Sequence, residues 1–124
     1  MRDVVDCFEE IHYGLMYKLN AGTLANAQYG DVSLCLAQRQ LSGQSEHRQL
    51  SPMEFQIMWL LTRAQGGYVS RDEIMYFLYE HQERDLPLYN TVEVMVGRLR
   101  RKLNAVSEEV KIWTFRSFGY QLVS

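Results

Sequence analysis

The chain has little of what secreted, membrane-spanning or metal-binding proteins usually contain. It has only two cysteines, Cys7 and Cys35, and they lie in different segments without the spacing of a metal site. Buried, reduced thiols are therefore favoured over a disulfide or a bound metal. No run of about 18 apolar residues predicts a membrane span, and the first residues lack the order of a signal peptide. We expect a cytoplasmic protein that needs no cofactor.

Signatures of catalysis are also missing from the sequence. The three histidines, His12, His47 and His81, are scattered and do not form a metal-ligand set. The adjacent carboxylates Asp72 and Glu73 fit the first turn of a helix better than an acid/base pair. No nucleophile elbow or phosphate-binding loop occurs, so the protein is not expected to be an enzyme.

Positive charge is scarce in the whole chain but concentrated in its last third. The net charge is −2, which argues against a general nucleic-acid binder. Residues 90–124 nevertheless carry six basic and three acidic side chains, whereas residues 1–89 carry seven and twelve. A local basic region attracts phosphates within a Debye length of about 8 Å. It predicts modest nonspecific affinity, because few phosphates are neutralised.

The sequence at 91–103 predicts a helix with two unlike faces. At about 100° per residue, one apolar stripe contains Val92, Val96, Leu99 and Leu103. The opposite face contains Val94, Gly97, Arg98 and Arg101, with Arg100 and Lys102 on the flanks. A helix whose outer face is small, apolar or guanidinium-bearing can enter a DNA major groove while its other face packs on a core.

A basic hairpin is predicted directly after this helix. Residues 112–120 favour two short strands around a turn, with Arg116 near the tip. A helix followed by such a hairpin is the winged-helix pattern, and it favours sequence-specific DNA binding. Trp59 and Trp113 are expected to pack in the core or at a sheet edge and not to stack on bases.

The N-terminal segment predicts an amphipathic helix at residues 2–19. Its apolar positions recur at helical spacing and are Val4, Phe8, Ile11, Leu15 and Leu19. Asn20-Ala21-Gly22 is a plausible stop. Two interpretations stay open: the helix covers the core of its own domain, or it pairs with a second copy as a dimerisation element.

The middle of the chain predicts small strands and then two helices. Residues 28–50 show short alternating runs with a turn near Gly43, which favours antiparallel strands. Helix starts of the form S-x-x-E occur at Ser51-Pro52-Met53-Glu54 and at Ser70-Arg71-Asp72-Glu73. The first of these helices is apolar nearly all round and is expected to run centrally to about Ala64. A polar, mostly acidic loop follows at 80–89.

Four motifs in this order resemble the OmpR/PhoB-type winged-helix DNA-binding domain of bacterial response regulators, over about residues 28–124. They are Leu50–Phe55, Val69–Ile74, residues 91–103, and Ile112–Tyr120. The resemblance implies an α+β winged helix-turn-helix: an N-terminal antiparallel sheet, a three-helix core and a C-terminal β-hairpin wing. Here the extra helix and linker at 1–27 would precede it.

The resemblance also implies a role for each residue of the basic region. Base contacts would come from Glu93, Val94, Gly97 and Arg98. Phosphate contacts would come from Arg100, Arg101 and Thr114. From the residues alone, Arg100 and Lys102 are each expected either to contact phosphate or only to solubilise. Arg116 would reach from the wing into the minor groove, where a guanidinium gains from narrow A·T tracts. Glu93 could accept from a cytosine amino group or only oppose the helix dipole.

Three departures from the family pattern are visible. Gly97 stands where many relatives carry a basic or polar side chain, so either the backbone approaches DNA closely or a contact has been lost. The wing has Arg-Ser-Phe-Gly-Tyr at 116–120 in place of the usual Arg-Gly-x-Gly-Tyr, which leaves its turn geometry open. No receiver domain is predicted, because residues 1–27 are too short for one.

The sequence therefore predicts a nucleoid-associated transcription regulator that binds double-stranded DNA without a phosphoreceiver. A homodimer is expected, and loop 80–89 matches the segment that often faces RNA polymerase in this family. The alternative is a winged-helix protein-interaction module that binds RNA polymerase or another regulator with little DNA affinity of its own. The acidic body and Gly97 favour this alternative.

Overall fold

The computed structural model describes residues 26–80, 90–115 and 118–124 of the 124-residue chain. Three sequence predictions fall outside the described residues: the N-terminal helix at 2–19, the acidic loop after residue 80, and Arg116 at the wing.

The described chain begins with a four-stranded antiparallel meander. Its strands, in spatial order, are β1 (Asn26–Tyr29), β2 (Val32–Cys35), β3 (Gln40–Ser42) and β4 (His47–Gln49). Alternating side chains such as Val32 and Leu34 are buried, as expected when one face of an antiparallel sheet packs on a core. The predicted antiparallel strands at 28–50 are confirmed, and Cys35 is a free, half-buried thiol.

The central helix α1 spans Pro52–Arg63 and is held at its start by a capping box. Glu54 N donates to Ser51 Oγ at 3.2 Å, and Ser51 N donates to Glu54 Oε1 at 2.8 Å. These bonds satisfy two of the backbone donors that a helix start leaves unpaired. The helix ends where Gln65 and Gly66 take positive φ values of 49° and 86°, a left-handed conformation that glycine adopts without strain.

The second capping signal also acts as predicted. After the two-residue strand β5 (Val69–Ser70), helix α2 spans Arg71–Glu80. Glu73 N donates to Ser70 Oγ at 3.0 Å, and Ser70 N donates to Glu73 Oε1 at 3.2 Å.

Helix α3 spans Thr91–Val106 and is three residues longer than the predicted 91–103. Val106 is buried and continues the apolar stripe beyond Leu103, so packing extends the helix past the basic run. The helix then ends at Ser107, whose Oγ accepts from Glu109 N and Val110 N.

A three-stranded antiparallel sheet completes the fold, in the order β5, β7 (Gly119–Val123) and β6 (Lys111–Phe115). Ile112, Tyr120 and Leu122 are buried on the face towards the helices. Trp113 lies on the other face of the edge strand β6 and is 58% exposed, so of the two predicted positions it takes the sheet edge and not the core. Trp59 in α1 is buried as expected.

The core lies where the two sheets close on α1 and α3. Phe55, Ile57 and Leu61 of α1 are fully buried, as are Leu99 of α3 and Leu41 of the first sheet. Among the described helices none is long and apolar enough to cross a membrane. Among the described residues, the outer surface of α3 and the hairpin beside it carry exposed side chains that can form a site.

Candidate nucleic-acid interface

Helix α3 shows the two faces that its sequence predicts. The stripe Val92, Val96, Leu99 and Leu103 is buried against the core. On the opposite face Val94 is 42% exposed, and Arg98 and Arg101 are exposed. The contrast fixes the orientation of the helix, because rotating it would expose the apolar stripe to water.

Two arginines on the outer face of α3 are available to a ligand. Within the part of the chain that the structure describes, neither Arg98 nor Arg101 forms a hydrogen bond or an ion pair. A guanidinium always carries its charge and presents several donors in one plane, which suits phosphate oxygens and guanine edges. These two side chains can therefore bind an anion without first breaking an internal contact.

Arg100 is used differently, although it lies between those two arginines in sequence. Its Nε and Nη2 donate to the Ile112 carbonyl oxygen of β6 at 3.2 and 2.9 Å. Nη2 also donates to Thr114 Oγ1. The predicted phosphate contacts Arg100 and Thr114 thus bind each other, and together they join α3 to the first strand of the wing.

Lys102 faces the start of α1. Its Nζ lies 2.7 Å from Glu54 Oε1 and 2.7 Å from the Gln49 carbonyl oxygen. The side chain of Glu54 is only 4% exposed, so the ammonium neutralises an almost buried carboxylate. Burial alone would raise the pKa of Glu54, but the hydrogen bonds from Lys102 and Ser51 outweigh it and lower the pKa below its usual 4.5.

Glu93, predicted to lie near bases, forms a bidentate ion pair with Arg71 at the start of α2. Arg71 Nε lies 2.5 Å from Glu93 Oε2, and Nη2 lies 3.2 Å from Oε1. The hydrogen bond from Arg71 is the main reason that the pKa of Glu93 is lowered. Arg71 N also donates to the Phe118 carbonyl oxygen in the turn of the hairpin. This arginine therefore links α2, α3 and the wing.

Arg71 belongs to the site, although no sequence pattern predicted it there. Its only signal was its place in the second capping motif, which says nothing of a partner on another helix. Both carboxylate oxygens of Glu93 already accept hydrogen bonds from Arg71. This pair suits Glu93 better for positioning α3 than for accepting a hydrogen bond from a base.

Gly97 leaves part of the outer face of α3 without a side chain. A Cβ built on this glycine meets no atom of the described chain within 4 Å. Internal packing therefore does not require glycine here, and its backbone has no positive φ. In the middle of a helix, glycine costs about 1 kcal/mol relative to alanine, so the chain tolerates this cost on the surface between Val94 and Arg101.

The wing is formed by β6 and β7, whose last pairing before the turn joins Phe115 to Gly119. Arg116 follows Phe115 but lies outside the described residues, so its minor-groove contact stays a prediction. No group of three or more His, Cys, Asp or Glu side chains in the described ranges is arranged to hold a metal ion.

Comparisons with known proteins agree on one family. The family model described as "Transcriptional regulatory protein, C terminal" matches residues 45–122. The transcriptional regulatory protein PhoP of Escherichia coli K12 and the virulence regulator PhoP of Salmonella typhimurium are each 39% identical to the chain over 85 residues. Each match covers 68% of this chain but 37% of the relative. The chain therefore spans just over a third of the length of these regulators.

Two solved structures share the fold. The C-terminal domain of the nisin resistance regulator NsrR is 28% identical, with a TM-score of 0.64 over 77% of this chain and 94% of that domain. The Klebsiella pneumoniae RstA DNA-binding domain, solved with its RstA box, is 25% identical, with a TM-score of 0.60 over 79% and 96%. The fold is thus a winged helix-turn-helix. With the match at 45–122, the chain belongs to the family of C-terminal domains of transcriptional regulatory proteins.

Proposed function

We propose that the protein is a transcription regulator that binds double-stranded DNA in a sequence-specific manner. Helix α3 would enter the major groove, and Arg116 would reach the minor groove from the wing. The observation that carries the proposal is the outer face of α3. It presents two exposed, unpaired arginines beside an exposed valine and a bare glycine, among the described residues.

The relatives support this function. RstA is a structural neighbour solved in complex with a DNA site, and PhoP is named as a transcriptional regulator in the bacteria compared. The chain covers only part of the PhoP regulators. We therefore do not propose their complete activity or its regulation for this protein. What is proposed for this chain is DNA binding by the winged helix itself.

We assign different roles to the cations of α3. Arg98 lies nearest the exposed valine and glycine, where a helix lies closest to base edges, and we assign it to guanine acceptors. Arg101, one turn further on, suits a phosphate. Arg100 and Lys102 would act mainly by holding the wing strand and the cap of α1 against α3. Glu93 and Arg71 would set the position of the helix start in the groove.

The test is the loss of specific affinity in Arg98→Ala. On a duplex selected from random sequences, binding should weaken by about 1–3 kcal/mol, and base preference at one position should relax. Arg63→Ala is the matched control, because Arg63 is also an exposed arginine but belongs to the last turn of α1 and not to α3. Fluorescence anisotropy measures both. Unchanged affinity and preference in Arg98→Ala would contradict the proposed recognition helix.

Partner proteins and location belong to the same proposal. Homodimer formation, contact with RNA polymerase through the loop at 80–89 and a cytoplasmic, nucleoid-associated location stay predictions. The rival function, a protein-interaction module with little DNA affinity, is separated by a gel shift against genomic fragments at two salt concentrations. Specific retention that weakens with salt favours DNA binding. No retention, with co-purification of polymerase, favours the rival.

A further inference from the structure

Phe118 is a large apolar side chain in the turn of the wing, and it is 63% exposed. Its backbone is nevertheless held on both sides. Phe118 N donates to the Phe115 carbonyl oxygen at 3.0 Å, and the Phe118 carbonyl oxygen accepts from Arg71 N at 2.7 Å. The turn therefore presents an apolar ring to the surroundings from a fixed backbone position.

The strand register places Phe118 on the side of the wing sheet that faces the helices. Ser70 of β5 pairs with Gly119 of β7. The hydrogen bond from Arg71 N to the Phe118 carbonyl oxygen continues this ladder by one pair. Residues directly opposite each other in an antiparallel ladder point to the same face. Phe118 therefore shares a face with Arg71 and, two residues along the strand, with the buried Tyr120.

Other exposed rings of the wing lie on the opposite face. Trp113 and Phe115 occupy alternate positions on the outer side of β6. Tyr68 contacts Phe115 edge to face, with ring centroids 5.8 Å apart. A Cβ on Gly119 would point to this side, because it would approach the Tyr68 ring to 2.8 Å. Phe118, next to Gly119 in the chain, therefore belongs to a different surface of the wing.

The surface that carries Phe118 continues to the start of α3. Arg71 lies opposite Phe118 in the ladder, and its side chain donates to both carboxylate oxygens of Glu93. Glu93 belongs to the first turn of α3. Arg71 thus bonds the wing turn through its backbone and the recognition helix through its side chain. These contacts hold the turn of Phe118 next to the N-terminal end of α3.

The region between α3 and the wing has a defined partner in the proposed DNA complex. With α3 in the major groove and the wing in the adjacent minor groove, the sugar-phosphate backbone that separates the two grooves passes this region. Phosphates suit cations, but a phenylalanine ring has no charge or hydrogen-bond donor to offer them. The apolar part of the backbone is the deoxyribose, against which the Phe118 ring can be buried without leaving a polar group unpaired.

We propose that Phe118 packs against deoxyribose in the backbone between the two grooves and adds an apolar contact to the cationic ones. This inference rests on the proposed function and extends it to a residue outside the basic run. The contact adds affinity but little base preference, because every nucleotide of DNA presents the same sugar. It releases no counterion, so its contribution does not depend on salt.

The first test is Phe118→Ala, measured by anisotropy titrations on the selected and on a random duplex at several salt concentrations. Affinity for both duplexes should fall about five- to tenfold, because a partly buried ring is lost. The slope of log K against log salt should stay unchanged. Phe118→Leu should recover part of the affinity, and the stability of both variants should stay close to the parent value, since the side chain is exposed. A loss confined to the selected duplex, or a flatter salt slope, would overturn the sugar contact.

Trp113→Ala is the matched control, because it removes a larger exposed ring from the opposite face of the same sheet. It should bind both duplexes like the parent. An equal loss in Trp113→Ala, or parent-like binding by Phe118→Ala, would show that the proposal is wrong.

Arg98→Ala in the same titrations separates this inference from the proposed function. Parent-like binding by Phe118→Ala, with the expected loss of base preference in Arg98→Ala, would reject the sugar contact alone. A parent protein that binds no duplex would reject both.

The second test locates the ring directly by photo-cross-linking. Phe118 replaced by p-benzoylphenylalanine keeps an aromatic side chain and should cross-link to the selected duplex on irradiation. The same replacement of Trp113 should give little product. Equal yields at the two positions, or no product at position 118, would contradict the assignment of Phe118 to the DNA backbone.

Discussion

Helix α3 carries four cationic side chains in the five residues 98–102. They form two pairs, one exposed and unpaired, the other hydrogen-bonded to neighbouring elements. Arg98 and Arg101 are exposed and make no hydrogen bond or ion pair within the described ranges. Arg100 and Lys102 bond the wing strand and the cap of α1. Equal charges in one basic run therefore serve two purposes. A charge count from sequence therefore overstates the number of unpaired cations on α3, because half of this cluster bonds to other parts of the described fold.

Lys102→Met gives the largest expected effect on this comparison. It removes the ammonium beside Glu54 but keeps an apolar stem, and it leaves an almost buried carboxylate without its cationic partner. The free energy of unfolding should fall by about 2 kcal/mol. Urea denaturation measures the loss. The salt dependence of DNA binding should not change, since Lys102 is not assigned to a phosphate.

Arg101→Met is the matched control for that variant, because it removes one positive charge from the neighbouring position. Its free energy of unfolding should stay within about 0.5 kcal/mol of the parent value. If both variants lost the same stability, or if Lys102→Met alone altered the salt slope, the division of the four cations would be wrong.

The same ion pair predicts how stability depends on acid. The pKa of Glu54 in the folded protein lies below its usual 4.5, so the unfolded chain binds the proton more readily. Glu54 therefore stabilises the fold fully above about pH 4.5 and loses this contribution as the pH falls through its folded pKa. Urea midpoints measured across this range should fall less steeply in Lys102→Met than in the parent.

The acid dependence should shrink in that variant without disappearing. The pKa of Glu93 is also lowered, by the hydrogen bond from Arg71, and Lys102→Met leaves this pair intact. An identical pH dependence in parent and variant would show that Lys102 does not hold the Glu54 carboxylate in solution.

Arg101→Met should in turn change binding, by a smaller amount. If Arg101 neutralises one phosphate, the slope of log K against log salt should flatten by about 0.9, with similar loss on specific and random duplexes. Titrations at several salt concentrations measure it. A loss confined to the specific duplex would instead place Arg101 at a base edge, beside Arg98.

Local signals in the sequence predicted most of the fold, and the reason is physical. Capping needs only residues three apart, and both S-x-x-E motifs start helices as expected. The two faces of α3 followed from helical spacing. The sequence predicted the end of α3 three residues too early. The buried Val106 extends the apolar stripe, and the basic run before it conceals that continuation.

The site was predicted less completely, because its side chains pair across long stretches of chain. Arg71 and Glu93 are 22 residues apart, and Lys102 and Glu54 are 48 apart. No periodicity connects such positions, so the sequence assigned Glu93 and Lys102 to DNA or to the helix surface. Spacing decides which face of a helix is exposed. It does not decide which exposed charges find an internal partner.

Gly97→Ala tests the outer face of α3 most directly. Since a Cβ at this position meets nothing within the described chain, alanine should raise the free energy of unfolding by up to about 1 kcal/mol. We expect weaker binding of the selected duplex at the same time, because the added methyl group would hold the backbone of α3 away from the base edges. Thermal unfolding and anisotropy titrations give the two values.

Higher stability with unchanged or tighter binding would mean that the helix does not approach DNA at this glycine. Recognition would then depend on the long side chains of Arg98 and Arg101. DNA binding would not explain why the helix keeps a glycine that lowers its stability.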